Sequence, residues 1–154
     1  MLASCAGGYS FTGASISADT KTFSVEQFLN RAKIVQPMLA SEITNQLIKK
    51  INTGTNLRSI NEDADLNFKG TITGYSVSPV SIQGNDKAAK NRLTITVKVS
   101  FINKKDKKMN FEQSFTRYKD YDSSLSLNEV EETLMKQINE ELVEDIFNKA
   151  LVNW

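Results

Sequence analysis

The hydrophobic positions of this chain change period several times, and each change marks an element. From Gly7 to Lys21 the sequence is rich in Gly, Ser, Thr and Ala, the composition of a tether. Ile16, Phe23 and Val25 then supply apolar anchors for a first strand somewhere between Ile16 and Val25. After Pro37, which suits a first helical turn, Leu39, Ile43, Leu47 and Ile51 recur every four residues. One stripe at that spacing predicts an amphipathic helix from Met38 to Asn52. Lys49 and Lys50 suit the negative end of its dipole, and Gly54 suits a stop.

The period then falls from four to two. A short apolar piece covers Leu57 to Ile60, followed by Leu66, Phe68 and Ile72 on one face. Gly70 and Gly74 interrupt that run, and a bulge near Gly74 is needed if Tyr75 and Val77 are to point inward. Leu93, Ile95, Val97, Val99 and Phe101 alternate with Thr94, Thr96, Lys98 and Ser100, the pattern of a strand with one face in the core and one facing solvent or a partner. The basic run Lys104 to Lys108 separates it from a strand carrying Phe111 and Phe115, and the two read as an antiparallel hairpin. Ser126 with Glu129 three residues on is a capping box. Behind it Leu127, Val130, Leu134, Ile138, Leu142 and Ile146 predict a long closing helix from Leu127 to Asn153.

Elements that each carry a single apolar face can bury those faces together only by layering. The predicted fold is therefore α+β, a two-layer sandwich of two amphipathic helices on one face of a roughly four-stranded mixed or antiparallel sheet. At 154 residues one domain suffices: residues 16–154 form it, and residues 1–15 are a processing-site remnant and flexible tether.

Composition removes whole classes of chemistry. The chain has no histidine and one cysteine, so histidine-based triads, histidine-ligated metals and intrachain disulfides are excluded. Nineteen basic against 18 acidic residues leave a net charge of +1, which argues against capture of nucleic acid by the protein's overall field. Charge is nonetheless segregated along the chain, with a basic excess between Lys87 and Lys119 and an acidic excess between Glu129 and Asp145. The acidic run reads as a solvated helix face. Gly70 to Gly74 lacks the Gly-Lys-Ser/Thr of a phosphate loop, and Ser76 lacks the second glycine of a nucleophile elbow. Asp63, Asp65 and Asn67 imitate the start of a calcium loop, yet Phe68 and Gly74 stand where Gly and Glu are required. Asp120 and Asp122, beside Ser123 and Ser124, read as turn residues. The chain is accordingly read as a non-enzyme with no cofactor, no catalytic residue and no metal site.

Two local features carry functional readings. Leu2-Ala-Ser-Cys5, followed by Ala6-Gly-Gly8, has the small residues of a lipoprotein processing site, which makes Cys5 the candidate for lipidation. Only Met1 to Ser4 precede it, so the chain is read as a truncated form, soluble as it stands, whose native membrane contact is through the N-terminal lipid. Lys104, Lys105, Lys107 and Lys108 crowd one turn. They are either a solubilising tip that deters edge pairing or a contact for phosphorylated lipid or a partner's acidic loops.

Several stretches together resemble a known family: Gly8-Tyr-Ser-Phe-Thr-Gly-Ala-Ser-Ile16, Ile72-Thr-Gly-Tyr-Ser-Val-Ser-Pro-Val80, Asn91-Arg-Leu-Thr-Ile-Thr-Val-Lys-Val-Ser-Phe101, Phe111-Glu-Gln-Ser-Phe115, Tyr121-Asp-Ser-Ser124 and Glu141-Leu-Val-Glu-Asp-Ile-Phe-Asn148. They are similar to the lipopolysaccharide-assembly lipoprotein family LptE in its Bacteroidetes-type form, over nearly the whole chain from Cys5 to Trp154. The resemblance implies an outer-membrane lipoprotein of Gram-negative bacteria, anchored on the periplasmic side. Its α+β domain would plug the β-barrel LptD, assist the barrel's assembly and take part in placing lipopolysaccharide in the outer leaflet. Two other readings stand beside it: an unrelated periplasmic or surface lipoprotein acting as a protein-binding adaptor, and a carboxylate hydrolase, for which no buried acid pair with apolar neighbours is evident.

Overall fold

The computed structural model describes residues 16–81 and 89–152. Cys5 and the tether lie outside the described residues, as do Lys87 and Asn153. The elements run β1 (Thr22–Val25), β2 (Leu29–Asn30), α1 (Leu39–Gly54), β3 (Arg58–Ser59), β4 (Leu66–Val80), β5 (Lys90–Asn103), β6 (Phe111–Asp122) and α2 (Leu127–Leu151). Among the described residues they form one mixed sheet in the order β3-β1-β4-β5-β6, with β2 also pairing β4, and the two helices pack on one face of it. β1 and β2 run parallel to β4, whereas β4, β5 and β6 form an antiparallel meander. The α+β sandwich read from the sequence is therefore present, with six strands in place of four. The extra β2 and β3 are two residues long, too short to show a period.

The stripe of α1 is buried at Leu39, Ile43, Leu47 and Ile51, as its four-residue spacing requires. The helix runs two residues beyond the predicted end: Gly54 is its last residue, and the Thr55 hydroxyl donates to the Ile51 carbonyl at 2.7 Å where the chain turns extended. Lys50 is thus clear of the terminus and serves a different purpose, pairing with Glu144 of α2 at 2.5 Å and lying 5.2 Å from the Phe147 ring centre.

α2 starts at the predicted capping box, with Glu129 Oε2 accepting the Ser126 N–H at 2.7 Å. The backbone N–H of Ser126 also holds the Glu129 carboxyl below the usual range. Beyond the single row Leu134, Ile138, Leu142 and Ile146, the helix buries a second row, Met135, Asn139, Val143, Phe147 and Leu151. Two rows are needed because α2 touches the sheet and α1 at once.

On the sheet, Leu93, Ile95, Val97, Val99 and Phe101 are all buried. The register of β4 on β5 slips between Ile72 and Gly74, so Tyr75 turns inward and is buried. Val77 does not follow. It lies opposite Leu93 yet stays 39% exposed, because this part of β4 has a strand on one side only. Gly70 occupies an inward position filled by the Phe28 ring, which sits where a side chain at residue 70 would begin. Phe28 is held there by its N–H, which donates to Thr44 Oγ1 at 3.0 Å.

Candidate functional site

The tip of the β5–β6 hairpin is a built turn. Asn103 Oδ1 accepts the N–H groups of Lys105 and Asp106, each at 2.9 Å. Asn110 Oδ1 accepts the Asn103 N–H at 2.7 Å, closing the base of the loop. Asp106 then caps a single 3-10 turn, Lys107–Met109, by accepting the Lys108 N–H at 3.1 Å. Short polar side chains that bond neighbouring backbone make such turns without a hydrophobic core.

This turn separates the four lysines read from the sequence into two pairs. Lys104 Nζ lies 2.6 Å from Asp63, and Lys105 Nζ lies 3.8 Å from Asp65. Both carboxyls sit below the usual range, Asp63 chiefly through the hydrogen bond from Lys104 and Asp65 chiefly through the Lys21 backbone N–H. Asp63 takes a left-handed backbone conformation, φ 57°, which an aspartate tolerates in a turn. The residues that imitate a calcium loop are therefore fasteners: Asp65 holds β1 through the N–H groups of Lys21 and Thr22, at 2.8 and 3.2 Å. Lys107 and Lys108 have no acidic partner among the described residues and are exposed. Lys149, near the end of α2, adds a third exposed cation 5.8 Å from the Phe111 ring centre. Beside the turn a half-open cavity of about 380 Å³ is lined by Ile16, Leu66, Met109 and Leu151 together with Asn103 and Asp106 of the turn itself. The apolar lining could not be read from the sequence, since it joins four distant segments.

The second candidate surface is the outer face of the sheet, opposite the helices. Thr94, Thr96, Ser100, Ser114 and Thr116 lie on it, with Thr96 and Thr116 hydroxyls 2.9 Å apart. Charges there are matched in pairs. Lys98 meets Glu112 at 2.5 Å, Lys69 meets Glu26 at 2.9 Å, and Arg92 grips Asp120 through two bonds at 2.7 and 3.0 Å. The Arg92 guanidinium also lies 3.7 Å from the Tyr118 ring centre. Asp120 is held below the usual range chiefly by Arg92, and Asp122 by the Ser124 backbone N–H. Neither carboxyl is therefore tuned to carry a proton near neutral pH.

Charges segregated along the sequence are joined in space. Arg117 and Asp145 form two bonds at 2.6 and 2.7 Å, and Lys119 bonds Glu141 across the contact of β6 with α2. Tyr75 donates to Glu131, and burial together with that carboxylate raises the phenol well above its ordinary value. Glu131, Glu141 and Asp145 thus fasten α2 to the sheet, whereas Glu129, Glu132, Glu140 and Glu144 are exposed, so the solvated-face reading holds for only part of the acidic run. Among the described residues no three acids or cysteines are grouped to hold a metal, and no helix is long and apolar enough to cross a membrane.

A family model described as LptE, lipopolysaccharide-assembly, matches residues 20–150. No curated protein matches the chain at a significant level. Among solved structures, a minor lipoprotein from Acinetobacter baumannii is 17% identical with a TM-score of 0.55, covering 84% of this chain and 91% of that one. A hypothetical protein from Chlamydia trachomatis is 7% identical with a TM-score of 0.56, covering 85% and 98%. The PelC dodecamer from Paraburkholderia phytofirmans is 12% identical with a TM-score of 0.53, covering 91% and 96%. At these identities the solved structures establish a shared fold, and the family model establishes kinship.

Proposed function

This chain belongs to the LptE lipopolysaccharide-assembly family, and from that premise we propose that residues 16–154 are the plug of an LptD-type outer-membrane β-barrel, assisting its assembly and the passage of lipopolysaccharide to the outer leaflet. Residues 1–15 serve as tether, and Cys5 carries the lipid that holds the protein on the periplasmic side of the outer membrane. The observation that carries the plug reading is the outer sheet face. Its hydroxyls and internally neutralised ion pairs suit the polar, wet interior of a large barrel, and they suit it without demanding a charged partner. Size agrees. A chain of this length has a radius of gyration of about 15 Å and a diameter of about 38 Å, while a barrel of about 26 strands leaves a bore of about 40 Å.

Within this reading the hairpin lysines divide their work. Lys104 and Lys105 fasten the hairpin to the Asp63–Asp65 turn, and Lys107 and Lys108, with no acidic partner among the described residues, engage lipid phosphates or acidic barrel loops. Co-expression of the tagged full-length protein with its barrel tests the plug. A detergent-stable complex is expected, and a barrel that assembles equally well without the chain overturns the proposal. In the same preparation, Lys107→Ser with Lys108→Ser should weaken lipopolysaccharide binding in a salt-dependent way, while Lys104→Ser with Lys105→Ser should affect binding less.

A further inference from the structure

The connection from β2 to α1 is a loop hydrogen-bonded at its base and exposing an apolar tip. Its base is tied on both sides. The Arg31 N–H donates to the Ile72 carbonyl at 2.9 Å, and Asn30 accepts the Ala32 N–H at 3.2 Å while its Nδ2 donates to the Gln36 carbonyl at 3.3 Å. Gln36 Oε1 then accepts the Met38 N–H at 2.9 Å at the entrance to the helix. Ala32 is buried, yet Ile34, Val35 and Met38 are 58%, 57% and 59% exposed. A loop that can bury Ala32 and leaves three larger apolar side chains in water has a surface to meet.

Two observations identify that surface. From Gln27 to Ser41 there is no acidic residue, and Arg31 and Lys33 immediately precede the tip, both exposed and without a salt-bridge partner among the described residues; the first acid beyond it is Glu42 in the opening turn of α1. The tip itself is apolar. Ile34, Val35 and Met38 present on the order of 300 Å², the size of an ordinary monomer's largest apolar patch, and Leu29 of β2 is itself 52% exposed. An apolar tip preceded by two cations without a salt-bridge partner matches the interface of an anionic bilayer, where aliphatic groups enter the acyl boundary and basic groups meet headgroup phosphates.

We propose that the Arg31–Met38 loop is a membrane-docking wedge that inserts Ile34, Val35 and Met38 into an anionic phospholipid surface. It stands on this loop alone and does not require the barrel. Docking of this kind adds a second point of contact that fixes the orientation of the domain against the membrane.

Co-sedimentation of the full chain with vesicles tests it, comparing phosphatidylcholine containing about one third phosphatidylglycerol with phosphatidylcholine alone, at low and physiological salt. The wild type should pellet with the anionic vesicles and be released by salt. Ile34→Ser with Val35→Ser should lower the partition coefficient about tenfold or more, as expected for losing two large aliphatic contacts. Arg31→Ser with Lys33→Ser should reduce anionic binding to the phosphatidylcholine level. All four positions are exposed, so thermal unfolding of the variants should match wild type. Lys49→Ser with Lys136→Ser, two exposed cations on the helices away from the loop, is the control for general charge and should leave vesicle binding unchanged. Absence of pelleting at low salt, unchanged binding by both loop variants, or loss of binding by the helix-surface control would each overturn the proposal. So would loop variants that keep vesicle binding and lose barrel capture, since the loop would then belong to a protein partner.

Discussion

The two faces of the β4–β5–β6 meander are made from the same residues of alternating parity and obey different rules. On the inner face Phe68, Leu93, Ile95, Val97, Val99 and Phe101 are buried against the helices. Phe68, Phe101 and Phe111 form a run of rings with centroids 4.8 and 5.3 Å apart. On the outer face hydroxyls and ion pairs lie in water, with Arg92–Asp120 and Lys98–Glu112 joining neighbouring strands. Stability is concentrated on the first face, because burial of large apolar groups is worth far more than exposed pairing. The second face is free to be chosen for what it touches.

The largest expected effect breaks the inner face. Phe101→Ala and Ile138→Ala should each destabilise the isolated domain by about 2 to 5 kcal/mol, measured by denaturant unfolding, since both side chains are buried between sheet and helices. Losses below about 0.5 kcal/mol at both would put them outside the core. Gly70→Ala probes the same face by overfilling it. The added methyl falls on the Phe28 ring, so a cost of about 1 to 3 kcal/mol is expected, and a neutral result would mean that the Phe28 ring is not seated over the strand.

How much of this was legible depended on the length of each pattern. The α1 stripe at Leu39, Ile43, Leu47 and Ile51, the β5 alternation and the Ser126–Glu129 cap each repeat or pair within one segment, so the sequence displays them directly. The Gly74 bulge was legible because the apolar parity must change between Ile72 and Tyr75. The parallel pairing of β1 with β4 was not, since its fastening depends on Asp65 reaching Lys21 and Thr22 across more than forty residues. The hairpin lysines were visible as a cluster, but their division was hidden. Which lysine meets Asp63 or Asp65 is set by the turn geometry of Asn103 and Asp106. The wedge at Ile34 and Val35 left no periodic signal, because a loop tip has no second turn or strand residue to confirm it.

A smaller effect, of opposite sign, concerns the seam between the helices. Asn139 sits in the second buried row of α2, fully buried, and among the described residues neither its Oδ1 nor its Nδ2 has a hydrogen-bond partner; Gln46 Oε1 on α1 is likewise buried without one. An unsatisfied amide in a core costs about 1 to 3 kcal/mol relative to an apolar group of the same shape. Asn139→Leu should therefore raise stability by about 1 to 2 kcal/mol, read as a shift of the denaturation midpoint at constant slope. A loss instead would mean that buried water satisfies the amide and belongs to the structure.

The smallest expected effect belongs to the outer face and is best read as a pH dependence. Asp120 titrates below its ordinary value because Arg92 hydrogen-bonds it. A carboxyl whose pKa is lower in the folded state stabilises the protein above its unfolded value, about 3.9, and that contribution disappears as pH falls through the folded value. Because the pair is partly exposed, its worth at neutral pH should be about 0.2 to 1 kcal/mol. Asp120→Asn should lower stability by that amount at pH 7, and the two proteins should converge in acid, where Asp120 is protonated in both folded and unfolded wild type. Added salt should narrow the gap at neutral pH, since exposed charges are screened. A difference that persists unchanged into acid would mean that Asp120 acts through packing against Arg92 and Tyr118, and the outer face would then share the stabilising role of the inner one.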